Sequence, residues 1–413
     1  MSKNTKYSLP ALGVDVLSDQ TKLDPQAVRS AVNIDIGSSG AFSRRAGFTL
    51  RVAGDGYHSA YYAPQKGWFL VAQGNVLYRM DPTTYALTAM HTLATADPLN
   101  YTEYNGNLYF SSVSSFGWVP SDSTASRNVG VQKLDTPILS VAAGGLDPGK
   151  YAVVVTLVDN RGEEGPASDV TFVELTAVGG IRLAGLPTFI GQQIYIYITS
   201  ADGDALRFAE AIPAVYSTYV VGQSAAGGGC DTQFLAPLTP GAFVRWHNGR
   251  LLTAAFGTLC FSEALRPHLY HPAHGVIPFS GYIAFVESVG DGLYVGDSRG
   301  VWFLAGTDPT NFKPKLVSQC RAVPRSSIMV PPEHLPEEAK SDEPVAVWLS
   351  TSGYVVGASG GKTTELHPDR IKVPSGLTGR SAFLLRGGRK QVVTPVNSTS
   401  AMAAGIAVDS VIP

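Results

Sequence analysis

The chain has 413 residues and a formal net charge of −2; 15% of its residues are charged and 44% are hydrophobic. Because the charges nearly cancel and no run of basic residues occurs, we expect no sequence-specific recognition of nucleic acid. No stretch approaches the roughly eighteen consecutive apolar residues of a membrane span, and no apolar segment of the signal-peptide kind follows the first residues, so we expect neither feature.

Residues 1–50 are predicted to form an N-terminal arm that contains a first strand. The strand candidate is the short run Asn33–Ile36. A ring of blades that is closed by a strand from the other end of the chain has no exposed sheet edge. We therefore expect Asn33–Ile36 to pair with late sequence, either Ser381–Leu385 or Gln391–Pro395.

One pattern occurs five times along the chain: an apolar run, a turn that contains glycine, and a second apolar run. In two copies the turn contains Asn-Gly, the strongest short-range signal for a β-hairpin. Three or four short antiparallel strands in about forty residues form one blade of a β-propeller. The five copies are Gly67–Met80, Tyr101–Phe110, Phe243–Ala254, Phe285–Leu304 and Pro344–Gly357.

The copies lie on both sides of a middle segment that lacks the pattern. Residues 51–134 and 225–413 are therefore predicted to be the first and second parts of one propeller. At about forty to fifty residues per blade, these two parts allow about six to eight blades. The predicted fold class is all-β: a β-propeller-like body with an inserted domain.

Residues 135–224 are predicted to form that insert as a separate β-sandwich. The segment Tyr151–Ser168 is a long apolar strand followed by a polar loop with the sequence DNRGEEGPAS. It resembles the second and third strands of a fibronectin type III-like domain. The resemblance implies a fibronectin III-like sandwich, which the glycine-rich joint Ala225–Gly229 follows.

Three histidines at intervals of three residues are the candidate metal ligands, because imidazole binds transition metals. They are His268, His271 and His274. Prolines at positions 267 and 272 favour the other interpretation, an irregular surface or interface loop without metal.

The glycine-rich segment Gly357–Thr364 resembles a phosphate-binding loop. Its spacing does not fit, and it follows a strand with no predicted helix after it, so it indicates a hairpin turn instead. The three cysteines are isolated in the sequence, which fits a reducing compartment and indicates neither a zinc site nor a redox pair. We expect no catalytic residue, no cofactor and no enzymatic activity.

Three segments resemble virion proteins of tailed bacteriophages. Val32–Thr49 contains Asn-x-Asp and Arg-Arg-x-Gly, and Phe261–Pro267 contains Phe-Ser-Glu-x-x-x-Pro. Gly290–Pro309 contains Gly-Leu-Tyr-Val-Gly and Gly-Val-x-Phe-Leu-x-Gly-x-x-Pro. The resemblance implies a structural component of a phage tail or head-to-tail connection, of the stabilisation or nozzle type, that assembles as a symmetric ring.

The same resemblance implies where the protein is found and what it contacts. Its partners would be copies of itself and other tail or neck proteins of the virion, assembled in the cytoplasm of the bacterial host. The expected contact elements are the N-terminal arm, the sandwich and the loop around Pro331–Glu343, which is predicted to protrude.

Two other functions stay open from the sequence. A receptor- or glycan-binding module of the phage tail would carry clustered surface aromatic residues together with Asp or Asn. A propeller-fold hydrolase would carry paired carboxylates at the centre of the ring.

Overall fold

The computed structural model describes residues 13–36, 41–45, 47, 49–366, 368–386 and 389–398. These residues form an all-β protein whose helices are four short 3-10 turns, Pro309–Asn311, Pro332–His334, Glu337–Ala339 and Ser359–Gly361. No helix in these ranges has the length and hydropathy that a membrane crossing requires.

The N-terminal region forms two small strand pairs. Strand β1 (Gly13–Val14) pairs in parallel with β2 (Ala27–Val28). Strand β3 (Ile34–Ile36) pairs with β4 (Phe42–Arg44) in a local hairpin. The prediction that Asn33–Ile36 pairs with Ser381–Leu385 or Gln391–Pro395 is therefore wrong. A short connection loses less entropy on closure than a connection that spans the chain, so the local partner is favoured.

The first two blades of the propeller precede the insert, and each is a four-stranded antiparallel meander. Blade 1 consists of β5 (Tyr57–Ala63), β6 (Trp68–Gln73), β7 (Val76–Met80) and β8 (Leu87–Thr92). Blade 2 consists of β9 (Asn100–Tyr104), β10 (Asn107–Ser111), β11 (Phe116–Val119) and β12 (Arg127–Asn128).

The insert is a sandwich of two antiparallel sheets. One sheet has the order β13-β16-β19 and the other β15-β14-β17-β18. Its strands are β13 (Ile138–Leu146), β14 (Gly149–Val158), β15 (Thr171–Leu175), β16 (Gly179–Ala184), β17 (Gln193–Ile198), β18 (Arg207–Pro213) and β19 (Thr218–Val221). Buried aliphatic side chains of both sheets, such as Val153, Ile181 and Ile196, form its core.

Three further blades follow the insert. A short strand pair of β20 (Ala236–Pro237) and β24 (Leu269–Tyr270) accompanies them. Blade 3 consists of β21 (Phe243–His247), β22 (Arg250–Ala255), β23 (Thr258–Phe261) and β25 (Val276–Pro278). Blade 4 consists of β26 (Phe285–Val289), β27 (Gly292–Gly296), β28 (Val301–Ala305) and β29 (Lys313–Ser318). Blade 5 consists of β30 (Ile328–Val330), β31 (Val345–Ser350), β32 (Gly353–Ala358) and β33 (Lys362–Leu366).

All five predicted hairpins are present as paired strands. In blades 2 and 3 the hairpin turns are Asn105-Gly106 and Asn248-Gly249, and all four residues have positive φ. Asn and Gly tolerate that conformation, which matches the right-handed twist of the flanking strands. The described residues contain five four-stranded blades, fewer than the about six to eight that length alone allows.

The last described strands form an extended hairpin beside blade 5. Strand β35 (Ala382–Arg386) pairs with β36 (Arg389–Val393), and the flanking β34 (Leu377–Gly379) pairs with β37 (Val396–Ser398). Strand β35 also packs beside β30 of blade 5. The loop at Pro331–Glu343, between β30 and β31, was predicted to protrude, but part of it packs against the protein. The methyl group of Ala339 is buried in the core of blade 5, and the ring of His334 stacks on that of Phe383.

The first strands of blades 1 to 4 pack side by side. Strand β5 lies beside β9, β9 beside β21, and β21 beside β26. These first strands are therefore the innermost strands of the propeller, and their starts lie at one face of the ring. Polar side chains on the innermost strands meet at the axis.

Candidate functional site

The three candidate metal ligands do not come together. The rings of His271 and His274 lie 4.5 Å apart in a turn. His268 is buried, and its Nε2 lies 2.9 Å from the carbonyl oxygen of Glu164 in the sandwich. It therefore joins the insert to blade 3. Within the described ranges no group of three or more His, Cys, Asp or Glu side chains is arranged to hold a metal ion.

The glycine-rich segment Gly357–Thr364 is a hairpin turn between β32 and β33, as its spacing indicates. The backbone N–H of Gly360 donates to both carboxylate oxygens of Asp291, at 2.9 and 2.8 Å. A carboxylate of this chain thus takes the position in which a phosphate-binding loop would hold its ligand.

A buried ion pair joins the innermost strands of blades 3 and 4. Arg245 is the third residue of β21, and Glu287 is the third residue of β26. The guanidinium donates Nε to Oε2 at 2.8 Å and Nη2 to Oε1 at 2.7 Å. Only 2% of the Glu287 side chain is exposed. This two-point geometry is the strongest form of an arginine–carboxylate contact.

Neighbouring blades complete the contacts of this pair. The Ser327 hydroxyl, near β30, donates to Glu287 at 2.8 Å, and Nη1 of Arg245 donates to the side-chain oxygen of Asn100 in β9. Burial lowers the pKa of Arg245, but the Glu287 carboxylate outweighs burial and raises it overall. Through these hydrogen bonds the pair links blades 2, 3, 4 and 5.

A second polar group joins blades 1 and 2. The Tyr61 hydroxyl donates to Glu103 at 3.1 Å, and the Tyr61 ring stacks on Tyr101 with centroids 4.8 Å apart. The backbone N–H of Gln65 donates to the other oxygen of Glu103 at 3.0 Å. Burial raises the pKa of Glu103, while these two hydrogen bonds oppose that change.

Two more arginines approach the axis from late sequence. Nη1 of Arg325 lies 3.4 Å from the carbonyl oxygen of Pro98, and Nη1 and Nη2 of Arg380 lie 3.2 and 3.3 Å from that of Leu99. Since Pro98 and Leu99 lead into β9, these contacts connect the C-terminal part of the propeller with its N-terminal blades.

The sequence contains a signal for the ion pair that the hairpin pattern does not include. Phe243-Val244-Arg245 and Phe285-Val286-Glu287 are the same motif with opposite charges at its third position. Each begins the innermost strand of its blade. Opposite charges at equivalent positions of adjacent blades indicate a contact across the blade interface.

No protein-family model and no curated protein matches the chain. Among solved structures, BBS1N in complex with ARL6DN is similar over 86% of this chain and 93% of its own, with 12% identity and a TM-score of 0.35. The N-terminal domain of Nup159 is similar over 82% of this chain and 72% of its own, with 10% identity and a TM-score of 0.30.

The extracellular domain of BT4673 from B. thetaiotaomicron is similar over 87% of this chain and 50% of its own, with 8% identity and a TM-score of 0.22. These low scores carry no argument about function.

A buried histidine at the interface of blades 3 and 4 predicts a pH dependence of stability. His247 lies 2.8 Å from the Ser288 hydroxyl, and burial lowers its pKa below the ordinary 6.5. The unfolded chain then binds this proton more tightly than the folded chain. The stabilisation by neutral His247 is complete above the unfolded pKa and is lost as the pH falls from there toward the folded pKa.

Urea unfolding between about pH 7 and about pH 5 tests this effect. We expect the stability of the wild type to fall more steeply with decreasing pH than that of His247→Gln, which cannot gain the proton. The exposed His274→Gln is the control and is expected to keep the wild-type slope. Equal slopes for the wild type and His247→Gln would contradict the prediction.

Proposed function

We propose that this protein is a structural component of a bacteriophage tail or head-to-tail connection, which assembles with copies of itself into a symmetric ring. The proposal starts from the resemblance of three sequence segments to phage virion proteins. The observation that supports it best is an apolar edge of the sandwich, at the residues described next.

The apolar edge consists of strands β13 and β15, which lie side by side at the same edge of the two sheets. Large apolar side chains are more than one third exposed there, with values of 70% for Ile138, 61% for Val141 and 57% for Phe172. Val178, in the turn after β15, is 65% exposed. Exposed apolar residues that cluster in this way mark interaction surfaces, because single ones are normal but groups are rare.

One strand of the apolar edge also has a side on which no described strand of its sheet pairs with it. Strand β13 has 9 residues and is the end strand of its sheet. A β-bulge between Ala142 and Leu146 protects one half of it, since bulges interrupt edge pairing. The other half, which begins at Ile138, pairs regularly with β16 on one side and offers its second side to another strand.

A ring requires two different surfaces on each subunit, because its contacts run head to tail. The opposite side of the sandwich carries a second set of exposed residues, with Val215 at 54%, Tyr216 at 49% and Val220 at 41% exposure. These lie at and near β19, the other end of the three-stranded sheet. Two unlike apolar edges on one domain suit a closed ring of identical subunits.

The environment of the Glu287 carboxylate near the axis argues against the hydrolase alternative. Both oxygens of Glu287 accept hydrogen bonds from Arg245, and one also accepts from Ser327. Because both oxygens are engaged and only 2% of the side chain is exposed, this carboxylate is not accessible to a substrate.

Placing two lysines at the apolar edge tests the proposal. We expect Val141→Lys combined with Phe172→Lys to prevent incorporation into particles, because charges are depleted from the centres of protein interfaces. The melting temperature should stay within a few degrees of the wild-type value, since both side chains are already exposed. Incorporation is measured by mass spectrometry of purified particles and by reconstruction of the particle.

The matched control is Leu265→Lys, which changes an apolar residue that is 83% exposed on blade 3. It should leave incorporation unchanged. Normal incorporation of the double variant would exclude the apolar edge as a ring contact. Absence of the wild-type protein from virions would end the proposed function itself.

A further inference from the structure

Two arginines of late sequence place their guanidinium groups on consecutive backbone carbonyls at one face of the propeller. Arg325 and Arg380 donate to the carbonyl oxygens of Pro98 and Leu99, which are consecutive residues. The same face holds the start of β21, where the guanidinium carbon of Arg325 lies 5.5 Å from the ring centroid of Phe243. The backbone N–H of Arg325 also donates to Ala284, just before β26, at 2.9 Å.

This arrangement gathers positive charge without a matching negative charge. In the described part of the chain no carboxylate lies within 4.0 Å of either guanidinium. The adjacent Arg245 is already neutralised by Glu287. Asp97 is the acidic group that acts on Arg325, and its carboxylate accepts from Thr95 and Ser114 at 2.5 and 3.1 Å.

The two charges disfavour each other where they stand. Burial, together with the charge of Arg380, lowers the pKa of Arg325 to about 10. Burial also lowers the pKa of Arg380, with a further contribution from Arg245, while Tyr101 opposes it. A bound anion between the two guanidinium groups would remove this repulsion.

Both groups have hydrogen-bond donors to spare. A guanidinium carries five N–H donors. The contacts to Pro98 and Leu99 engage one nitrogen of Arg325 and two of Arg380. Both side chains are half-buried, so they keep access to solvent at this face of the ring.

We propose that Arg325 and Arg380 form an oxyanion-binding site at the face of the propeller where the innermost strands begin. Its ligand is a carboxylate or a phosphate, because the planar fork of arginine matches the paired oxygens of these groups. The site is independent of the proposed assembly function, since it uses the axis of the propeller and not the sandwich.

Binding is measured by calorimetry with inorganic phosphate and with acetate, at constant ionic strength maintained with chloride. We expect the wild type to bind at least one of the two anions, and the anion that binds identifies the ligand class. The double variant Arg325→Gln/Arg380→Gln should bind it about 100-fold or more weakly, because two charge-assisted contacts are lost. The control Arg266→Gln, at an exposed arginine paired with Asp231, should bind like the wild type.

Thermal unfolding separates an anion site from a purely structural role. Without the anion, the double variant loses the hydrogen bonds to Pro98 and Leu99 together with the repulsion between the two arginines, so its stability should lie close to that of the wild type. With the anion, only the wild type should gain stability. A double variant that is destabilised equally with and without the anion would overturn the proposal, as would a wild type that binds neither anion.

A second variant keeps the test valid if the double variant fails to fold. Arg325→Lys keeps the charge and loses the planar fork. We expect this variant to fold and to bind the anion more weakly than the wild type. Binding equal to that of the wild type would show that Arg325 does not contact the anion, which would also overturn the proposal.

Discussion

Replacing Arg245 with methionine is expected to lower the free energy of unfolding by about 3–5 kcal/mol, because it leaves Glu287 charged and unpaired in the interior. The Glu287 side chain is 2% exposed, so water cannot take over the role of the guanidinium. The substitution also removes a contact with Asn100 and so weakens blade 2 as well as blades 3 and 4. Urea unfolding monitored by circular dichroism measures the loss.

A double substitution tests whether the loss of stability comes from the unpaired charge of Glu287. Arg245→Met combined with Glu287→Leu removes both charges, and we expect it to recover most of the stability, since buried ion pairs are often replaceable by apolar residues. Arg266→Met, at an exposed pair with Asp231, should cost less than about 1 kcal/mol. If the double variant is as unstable as Arg245→Met, the unpaired charge of Glu287 does not cause the loss of stability.

Replacing Trp348 with alanine is expected to cost about 3–5 kcal/mol through the cavity that it leaves. Trp348 is fully buried in blade 5, and its ring centroid lies 5.2 Å from that of Phe285 and 5.5 Å from that of Tyr294, both in blade 4. The surroundings have little room to collapse, because they include the backbone of Gly357. A Cβ atom there would lie only 2.8 Å from the Trp348 ring.

Trp348→Phe is the informative comparison for this core position. The indole Nε1 has no hydrogen-bond partner, so phenylalanine loses volume but no hydrogen bond. We expect less than half of the alanine effect, by the same urea titration, because a smaller cavity costs less. Equal losses for both variants would show that the indole N–H, and not its volume, matters at this position.

The features that the sequence predicts well are local ones. The hairpins of blades 2 and 3 follow from Asn-Gly turns, because that dipeptide imposes a backbone conformation that only neighbouring residues have to satisfy. The predicted partner of Ile34–Ile36 is wrong because the prediction requires this strand to close a ring with late sequence and overlooks the neighbouring strand. The actual partner, Phe42–Arg44, is only a few residues away.

The contacts at the axis could be predicted only in part. The opposite charges of Arg245 and Glu287 stand in a repeated motif, and this signal is visible once the blades are aligned. The approach of Arg380 to Leu99 has no such signal, since it depends on how the last described hairpin meets the start of blade 2. The three histidines fail as a cluster because His268 binds the sandwich instead of its sequence neighbours.

The position of the sandwich also has a consequence for the order of folding. Strands β9 and β21 pack together, although the whole insert separates them in the chain. Strands β13 and β19, where the insert begins and ends, belong to one sheet and lie close together, with the backbone N–H of Gly145 in β13 donating to the carbonyl oxygen of Gly222 at 2.8 Å. During synthesis the sandwich is completed before blade 3 emerges, and domains fold as units in that order.

The folded sandwich shortens the flexible connection between blades 2 and 3. It thereby lowers the entropy cost of joining these blades by about 1 kcal/mol. A folded insert therefore makes the contact between blades 2 and 3 less costly in entropy than an unfolded insert of the same length would.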